Sequence, residues 1–79
     1  MQYILDLLNK IKWDKKESPD DYEIAYFDRI SNKKENIKYV NIKRIEGGFI
    51  VVEKENKEVN IPLHRIKEVS KKGVVVWKR

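Results

Sequence analysis

The sequence predicts an α+β fold in which an N-terminal helix packs on a curved, mainly antiparallel or barrel-like sheet of about six short strands. Three observations predict it. Apolar residues near the N-terminus recur at helical spacing, the later apolar stretches are short and closely spaced, and one strand–turn–strand pattern occurs twice. At 79 residues the chain is the size of one domain, so residues 1–79 are predicted to fold as a single unit.

The first predicted element is an amphipathic helix over residues 3–12. Its apolar side chains fall at i, i+3, i+4 and i+7, namely Ile4, Leu7, Leu8 and Ile11. Lys10 and Lys12 lie in the last turn, where cations suit the helix dipole. A helix this short is marginal in water by itself, so we expect it to gain its stability by docking on another element.

A strand is predicted over residues 22–29. Alternate side chains share one apolar face, namely Tyr22, Ile24 and Tyr26. Ala25 and Phe27 make the opposite face partly apolar, so we expect both faces to be covered near the middle of the strand. The polar residues 31–36 that follow are predicted to form a solvated loop.

Residues 37–45 and 61–69 form the internal repeat. Apolar residues match at positions 37/61, 39/63, 42/66 and 45/69. Their spacing of two and then three predicts a strand, one helical turn or a bulge, and a second strand. Gly48 and Gly73 follow the two copies and are predicted to take the positive φ that hairpin turns need.

One apolar position of the first copy is not apolar in the second. His64, the single histidine of the protein, stands where the first copy has Val40. The break in the pattern is either tolerated by the fold or used by the protein.

Charge is the strongest compositional indication of function. The chain has 18 Lys and Arg against 13 Asp and Glu, for a net charge of +5, which favours polyanionic partners and nucleic acid first. However, 39% of the residues are charged, and such a composition is also typical of thermostable proteins. Charge therefore leaves both explanations open.

Several classes of protein are disfavoured. The chain has no cysteine and one histidine, so we expect no disulfide, no metal site and no cofactor. No apolar run approaches the roughly 20 residues that cross a bilayer, and residues 1–3 do not resemble a secretory leader. We therefore expect a soluble, cytoplasmic protein that does not enter the membrane.

Two pairs of polar residues are candidates for binding phosphate. His64 and Arg65 are adjacent on the predicted turn and could offer two donors, because arginine binds phosphate oxygens through paired N–H groups. Asp28 and Arg29 end the first strand, where Asp28 could orient Arg29. Taken singly, each pair is also compatible with a structural role, as a local hydrogen bond or a surface ion pair of about 0–1 kcal/mol.

Both tryptophans have basic neighbours. Lys12 precedes Trp13, and Lys78 and Arg79 follow Trp77. Exposed rings would provide a stacking surface for single-stranded nucleic acid, whereas buried rings would be large core residues. We interpret both rings as core, with the basic neighbours free for phosphates.

Catalysis has little support in the sequence. A single histidine cannot form a paired-histidine phosphoesterase site, and there is no glycine-rich phosphate loop or cluster of metal ligands. An enzyme would need a second proton-transfer group beside His64, and the candidates are Asp14, Asp28 and Tyr26. We therefore expect a protein that is not an enzyme.

Four short motifs together resemble one family. They are Lys-Trp-Asp at 12–14, Tyr-x-Ile-x-Tyr-x-Asp-Arg at 22–29, Ile-Pro-Leu-His-Arg-Ile at 61–66 and Gly-x-Val-Val-Trp at 73–77. The chain resembles, from about residue 5 to residue 77, a family of small archaeal proteins described as the RNA cyclic group end recognition domain. The resemblance implies binding of RNA ends, with a 2′,3′-cyclic phosphate as the implied ligand. The positions that it implies are Asp28, Arg29, His64 and Arg65, and more weakly Trp13, Asp14 and Trp77.

The preferred hypothesis is a non-catalytic RNA-binding module. Its nucleic-acid-binding residues would be Asp28, Arg29, His64, Arg65, Trp13 and Lys12. It requires Arg29, His64 and Arg65 to converge on one exposed pocket. The alternative is a structural or protein-interaction module with a generic basic surface, which predicts scattered lysines and an edge strand free to pair.

Overall fold

The computed structural model describes residues 3–79, which form one helix and seven strands. The helix is α1 (Ile4–Trp13), and the strands are β1 (Tyr22–Asp28), β2 (Lys33–Lys38), β3 (Ile42–Glu46), β4 (Phe49–Lys54), β5 (Lys57–Pro62), β6 (Ile66–Lys71) and β7 (Val74–Lys78). Single 3₁₀ turns precede β1, β3 and β6, at Pro19–Asp21, Tyr39–Asn41 and Leu63–Arg65. No helix in this part of the chain is both long enough and apolar enough to span a bilayer.

The strands form two antiparallel sheets. One has the order β2-β1-β6-β7 and the other the order β3-β4-β5. The antiparallel α+β class is confirmed, but the number of strands is seven rather than about six. The two sheets do not form a closed barrel, so the prediction of a barrel-like sheet is wrong, and residues of both sheets share one core cluster.

The first half of β2 was not predicted as a strand. Residues 33–36 were predicted to lie in a loop, but they pair with β1, with Lys34 opposite Phe27. An edge strand needs only backbone hydrogen bonds on one side, so its side chains can be polar and exposed. The prediction failed because apolar patterning does not mark such a strand. The connecting turn is residues 29–32.

Helix α1 closes the core between the sheets. Leu8 is 0% exposed and Ile11 is 1% exposed, and both belong to one cluster with the inward faces of both sheets. The hydroxyl of Tyr39 donates a hydrogen bond to the carbonyl of Leu8 at 2.7 Å, inside this core. The predicted helix and its buried face are therefore confirmed, and this face belongs to the core cluster.

The outer face of β1 is covered by an ion pair. Ala25 is 8% exposed but does not belong to the core cluster. Lys34 on β2 and Glu68 on β6 flank β1, and their side chains meet at 2.7 Å, which bridges the two strands across it. The expected coverage of both faces is confirmed, although charged side chains rather than a second apolar layer provide it on this side.

The internal repeat is confirmed along its whole length. The units β2–turn–β3–β4 and β5–turn–β6–β7 have the same order of elements. At both 3₁₀ turns the first residue of the following strand donates a backbone hydrogen bond to the first residue of the turn. The Ile42 N–H donates to the Tyr39 carbonyl, and the Ile66 N–H donates to the Leu63 carbonyl. A positive φ was predicted for both Gly48 and Gly73. Gly73 has φ +83°, which confirms the prediction. The φ of Gly48 lies outside the left-handed region, so the prediction for Gly48 is wrong, and a Gly-Gly pair is compatible with several turn types.

The position at which the repeat loses its apolar residue is not a core position. Val40 is 49% exposed in the first copy, and its counterpart His64 is also exposed. Each is the middle residue of a 3₁₀ turn whose first residue packs in or against the core, Tyr39 in the first copy and Leu63 in the second. Replacement of an exposed valine by histidine removes little from the core, so the fold tolerates it.

A polar contact near the start of β1 predicts that the stability falls at alkaline pH. The Tyr22 hydroxyl donates to Glu17, which also pairs with Lys71 at 3.4 Å. Burial, followed by the bond to Glu17, raises the pKa of Tyr22 from 10.0 to about 12. The neutral phenol is therefore favoured in the folded state. The contribution of Tyr22 to the free energy of unfolding is complete below pH 10. It is lost as the pH rises through the pKa of Tyr22 in the folded state, about 12.

We expect the free energy of unfolding to fall between pH 10 and pH 12 in the native protein, and to fall less steeply in Tyr22→Phe. Urea unfolding at several pH values, with tyrosinate absorbance to follow ionisation, measures this difference. Tyr3→Phe is the control, because Tyr3 is 77% exposed. Equal pH slopes for Tyr22→Phe and the native protein would contradict the assignment.

Candidate nucleic-acid interface

The turn between β1 and β2 presents an arginine and an isoleucine to solvent. Asp28 stabilises this turn, since its Oδ1 accepts a hydrogen bond from the backbone N–H of Ile30 at 2.9 Å. Arg29 is exposed, and Ile30 is 97% exposed. Within residues 3–79 Asp28 forms no ion pair with Arg29, so its role is to shape the turn rather than to orient the guanidinium as expected.

A cleft of about 190 Å³ lies between this turn and the end of β5. We call it the Arg29–Arg65 cleft. Its polar lining residues, called the polar wall below, are Tyr26, Asp28, Arg29, Lys54, Asn60 and Arg65. Its apolar lining residues, called the apolar wall below, are Ile30, Val59, Ile61 and Pro62. Residues from both sheets therefore meet at one opening.

The cleft has an excess of positive charge. The cleft is lined by three basic side chains, those of Arg29, Lys54 and Arg65, and by one carboxylate, that of Asp28. This carboxylate already accepts a hydrogen bond from the backbone N–H of Ile30. In the described part of the chain neither Arg29 nor Arg65 takes part in an ion pair or a side-chain hydrogen bond. Arg44, on β3, differs in this respect, because its Nε lies 2.6 Å from Glu46 Oε1. Two guanidinium groups with unused donors are suited to an anionic ligand.

Lys54 lines the cleft together with the two arginines and belongs to the β3-β4-β5 sheet. The Tyr26 hydroxyl beside it is the largest influence and raises the pKa of the Lys54 ammonium, with smaller contributions from Glu35 and Asp28. Lys54 is therefore a cation at neutral pH. It is the last residue of β4, and only the packing of the second sheet on the first brings it beside Arg29.

The 3₁₀ turn Leu63–Arg65 divides the predicted donor pair. Arg65 lines the cleft, whereas His64 is exposed and does not line it. Successive residues of a 3₁₀ helix are about 120° apart, so adjacent side chains point in different directions. The structure thus brings together Arg29 and Arg65, with Asp28 beside them, but it does not bring His64 into the same pocket.

Arg79 supports the turn that carries Arg65. Its Nε donates to the carbonyl of Ile66 at 3.0 Å, and its second terminal nitrogen donates to the carbonyl of Leu63 at 3.0 Å. The backbone N–H of Arg79 also donates to the carbonyl of Lys67 at 2.9 Å. These bonds hold the turn from both ends, which pre-organises the backbone from which Arg65 projects.

Lys12 and Trp13 lie outside this cleft. Trp13 is 74% exposed, with Lys12 Nζ 5.2 Å from the centre of its ring, so the interpretation of Trp13 as a core residue is wrong. Trp13 follows Ile11 by two residues, about 200° round the helix, and points away from the core face. Trp77 is 9% exposed and is confirmed as core. Lys12 lines a separate shallow cleft with Tyr39 and β3.

A neighbouring cleft is less suited to an anion. It measures about 380 Å³ and shares Tyr26 and Lys54 with the first cleft. Three carboxylates also line it, those of Glu23, Glu53 and Glu55. The residues that the structure describes include no group of three or more His, Asp or Glu side chains that could hold a metal ion. The Arg29–Arg65 cleft is therefore the better candidate for a phosphate site.

Among the residues of the cleft that sequence reasoning missed, Lys54 and Ile30 matter most to the proposed site. Lys54 lies in a polar hairpin and Ile30 in a polar turn, and neither belongs to a motif. An isoleucine in a turn is unusual because β-branched residues favour strands, and that was the one available indication. No local pattern marks Lys54.

Comparison with known proteins identifies relatives over the whole chain. The family model described as the MJ1316 RNA cyclic group end recognition domain matches residues 1–79. A UPF0248 protein of Saccharolobus islandicus strain L.S.2.15 is 32% identical over 79 residues, covering 96% of this chain and 98% of its own. A UPF0248 protein of Metallosphaera sedula is 32% identical over 76 residues, covering 96% and 91%. No solved structure shows a significant match.

Proposed function

Because the chain belongs to the family described as the MJ1316 RNA cyclic group end recognition domain, we propose that it is a non-catalytic RNA-binding module. The observation that carries the proposal is the meeting of Arg29 and Arg65, both without an ion-pair partner in residues 3–79, in one open cleft beside Lys54. Phosphate is the anion that arginine binds best through paired donors.

The proposed ligand is an RNA end that carries a 2′,3′-cyclic phosphate. The support for this end group is the family description, together with the small volume of the cleft, about 190 Å³. A small cleft suits a chain end, whereas proteins that bind an internal stretch of RNA use a groove that follows the backbone. Exposed lysines elsewhere, among the 18 basic residues of the chain, would supply attraction to the backbone that weakens with salt.

The site is proposed to bind and not to react. General acid–base chemistry on a phosphate ester needs proton-transfer groups within reach of the same oxygen atoms. His64 does not line the cleft, and Asp28 accepts a backbone N–H there. Tyr26 remains in the cleft, beside Lys54. Turnover of a cyclic phosphate that disappears in His64→Ala would overturn this part of the proposal.

The test is the binding of labelled RNA oligomers, followed by fluorescence anisotropy over a series of salt concentrations. The oligomers end in a 2′,3′-cyclic phosphate, a 3′-phosphate or a 3′-hydroxyl group. We expect the cyclic end to bind most tightly and Arg65→Ala to weaken it by about 10- to 100-fold, the effect of losing one charged hydrogen bond. Arg29→Ala should act in the same direction.

His64→Ala is the matched comparison, because His64 is the exposed neighbour of Arg65 outside the cleft. We expect it to change the affinity by less than about 3-fold. If all three ends bind equally and the salt slope is steep, the protein is a general RNA-backbone binder. If His64→Ala and Arg65→Ala weaken binding equally, the ligand lies on the turn rather than in the cleft.

One observation favours a second candidate, a protein-interaction module. Val74, Val75 and Val76 are 65%, 46% and 49% exposed on β7, which is the edge of its sheet. An edge strand with exposed valines can pair with another strand. A protein that binds none of the RNA oligomers at low salt, but forms a complex that Val75→Lys abolishes, would support this alternative.

A further inference from the structure

The Arg29–Arg65 cleft has two chemically different walls. The arginines and Lys54 provide charge, whereas Ile30, Val59 and Pro62 provide an apolar surface. A free phosphate would use only the first wall. The second wall indicates a ligand that has an apolar, flat part close to its anionic group.

Ile30 is the most informative residue of the apolar wall. Its side chain is 97% exposed, so it contributes almost nothing to the core. It lies in a turn, where isoleucine is not favoured by its backbone preferences. The Asp28 carboxylate holds its backbone N–H at 2.9 Å, which fixes the position of the residue at the rim of the cleft.

The position of Ile30 has no explanation within the fold. Exposed single isoleucines are common on protein surfaces, but this one lines a cleft and immediately follows Arg29. Pro62 contributes a second apolar surface to the same cleft, at the end of β5. Contact with a ligand would bury both surfaces and recover part of their apolar free energy.

We propose that the apolar wall is a subsite for the terminal nucleobase, which Ile30 and Pro62 contact while Arg29, Lys54 and Arg65 hold the phosphate. This inference rests on the proposed function and adds that the protein recognises an end nucleotide as a whole. A base presents flat faces of low polarity, and packing of Ile30 and Pro62 against them would remove apolar surface from water. The subsite thus favours an unstacked end nucleotide over phosphates within a duplex.

The experiment compares two RNA oligomers of the same length that both end in a 2′,3′-cyclic phosphate. One carries a base on the terminal ribose, and the other has an abasic terminal ribose. We expect the native protein to bind the first about 5- to 10-fold more tightly, the effect of one small apolar contact. Ile30→Ser should reduce this ratio to about 2-fold or less. It should weaken binding of the oligomer that carries the base more than binding of the abasic oligomer.

Ile30→Val is the conservative control and should keep most of the ratio, because it retains a branched apolar side chain. Thermal melting confirms that each variant is folded, and the exposure of Ile30 means that folding should not suffer. Equal binding of the two oligomers by the native protein would overturn the subsite. So would an equal loss of affinity for both oligomers in Ile30→Ser.

Arg65→Ala separates this inference from the function on which it rests. In one outcome, Arg65→Ala weakens binding of the abasic oligomer, but the native protein binds both oligomers equally. The phosphate site then stands, and the base subsite is wrong. If Arg65→Ala leaves both oligomers bound as before, the proposed RNA-end function is wrong, and the subsite falls with it.

Discussion

Leu8→Ala is expected to lower the free energy of unfolding by about 2–5 kcal/mol, the cost of removing a buried leucine side chain from a packed core. Leu8 is 0% exposed and lies on the face of α1 that closes the space between the sheets. A domain of this size is stabilised by about 4–12 kcal/mol in total, so one such cavity removes a large share of the stability. Urea unfolding followed by circular dichroism measures the change.

Leu5→Ala is the matched control for this prediction. Leu5 is on the same helix and is only partly buried. We expect it to cost about 1 kcal/mol, because less apolar surface is lost and water can fill the space. If the two variants lost the same stability, α1 would not be docked through Leu8, and the two-sheet core would need another explanation.

Lys54→Glu is expected to weaken binding of RNA that ends in a cyclic phosphate by about 100-fold at low salt. Removal of a charged hydrogen bond costs about 1.5–3 kcal/mol, and the new carboxylate adds repulsion toward the phosphate. Lys54 shares the cleft with Arg29 and Arg65, so a reversal of its charge changes the potential where the ligand is proposed to lie. Anisotropy titrations with the oligomers described above provide the measurement.

Lys15→Glu makes the same change in net charge outside the cleft. Lys15 is exposed on the loop that follows α1 and does not line the cleft. We expect it to weaken binding by only about 2- to 3-fold, through the general field of the protein. Equal effects of the two variants would show that net charge alone drives binding. Melting curves of Lys54→Glu identify any loss of folded protein.

Elements with a strong apolar period were predictable from the sequence. The spacing of Ile4, Leu7, Leu8 and Ile11 predicts α1 because a helix buries one stripe of side chains. The alternation along β1 and the two-then-three spacing of the repeat likewise describe the strands and the 3₁₀ turns. The first half of β2, residues 33–36, was not predictable, since its side chains are polar and it is held by backbone pairing with β1.

Local motifs identified part of the candidate site. Arg29 and Arg65 stood out because each ends a strand or follows one closely, and the structure places both in one cleft. The motif at 61–66 wrongly grouped His64 with Arg65 in one pocket. Residues that are adjacent in sequence do not point in the same direction on a 3₁₀ turn. Trp13 illustrates the same limit, because a large aromatic residue at a helix end is buried only if its side faces the core.

By itself the sequence determined the secondary elements that bury apolar residues, the internal repeat, the basic charge and the family. Only the tertiary structure decided which side chains meet, because that depends on how the two sheets pack on α1. Lys54 comes to Arg29 from the other sheet, and Ile30 comes to Pro62 from a distant turn. The apolar period of an element shows which of its faces is buried. It does not show which polar side chains from different elements lie close together.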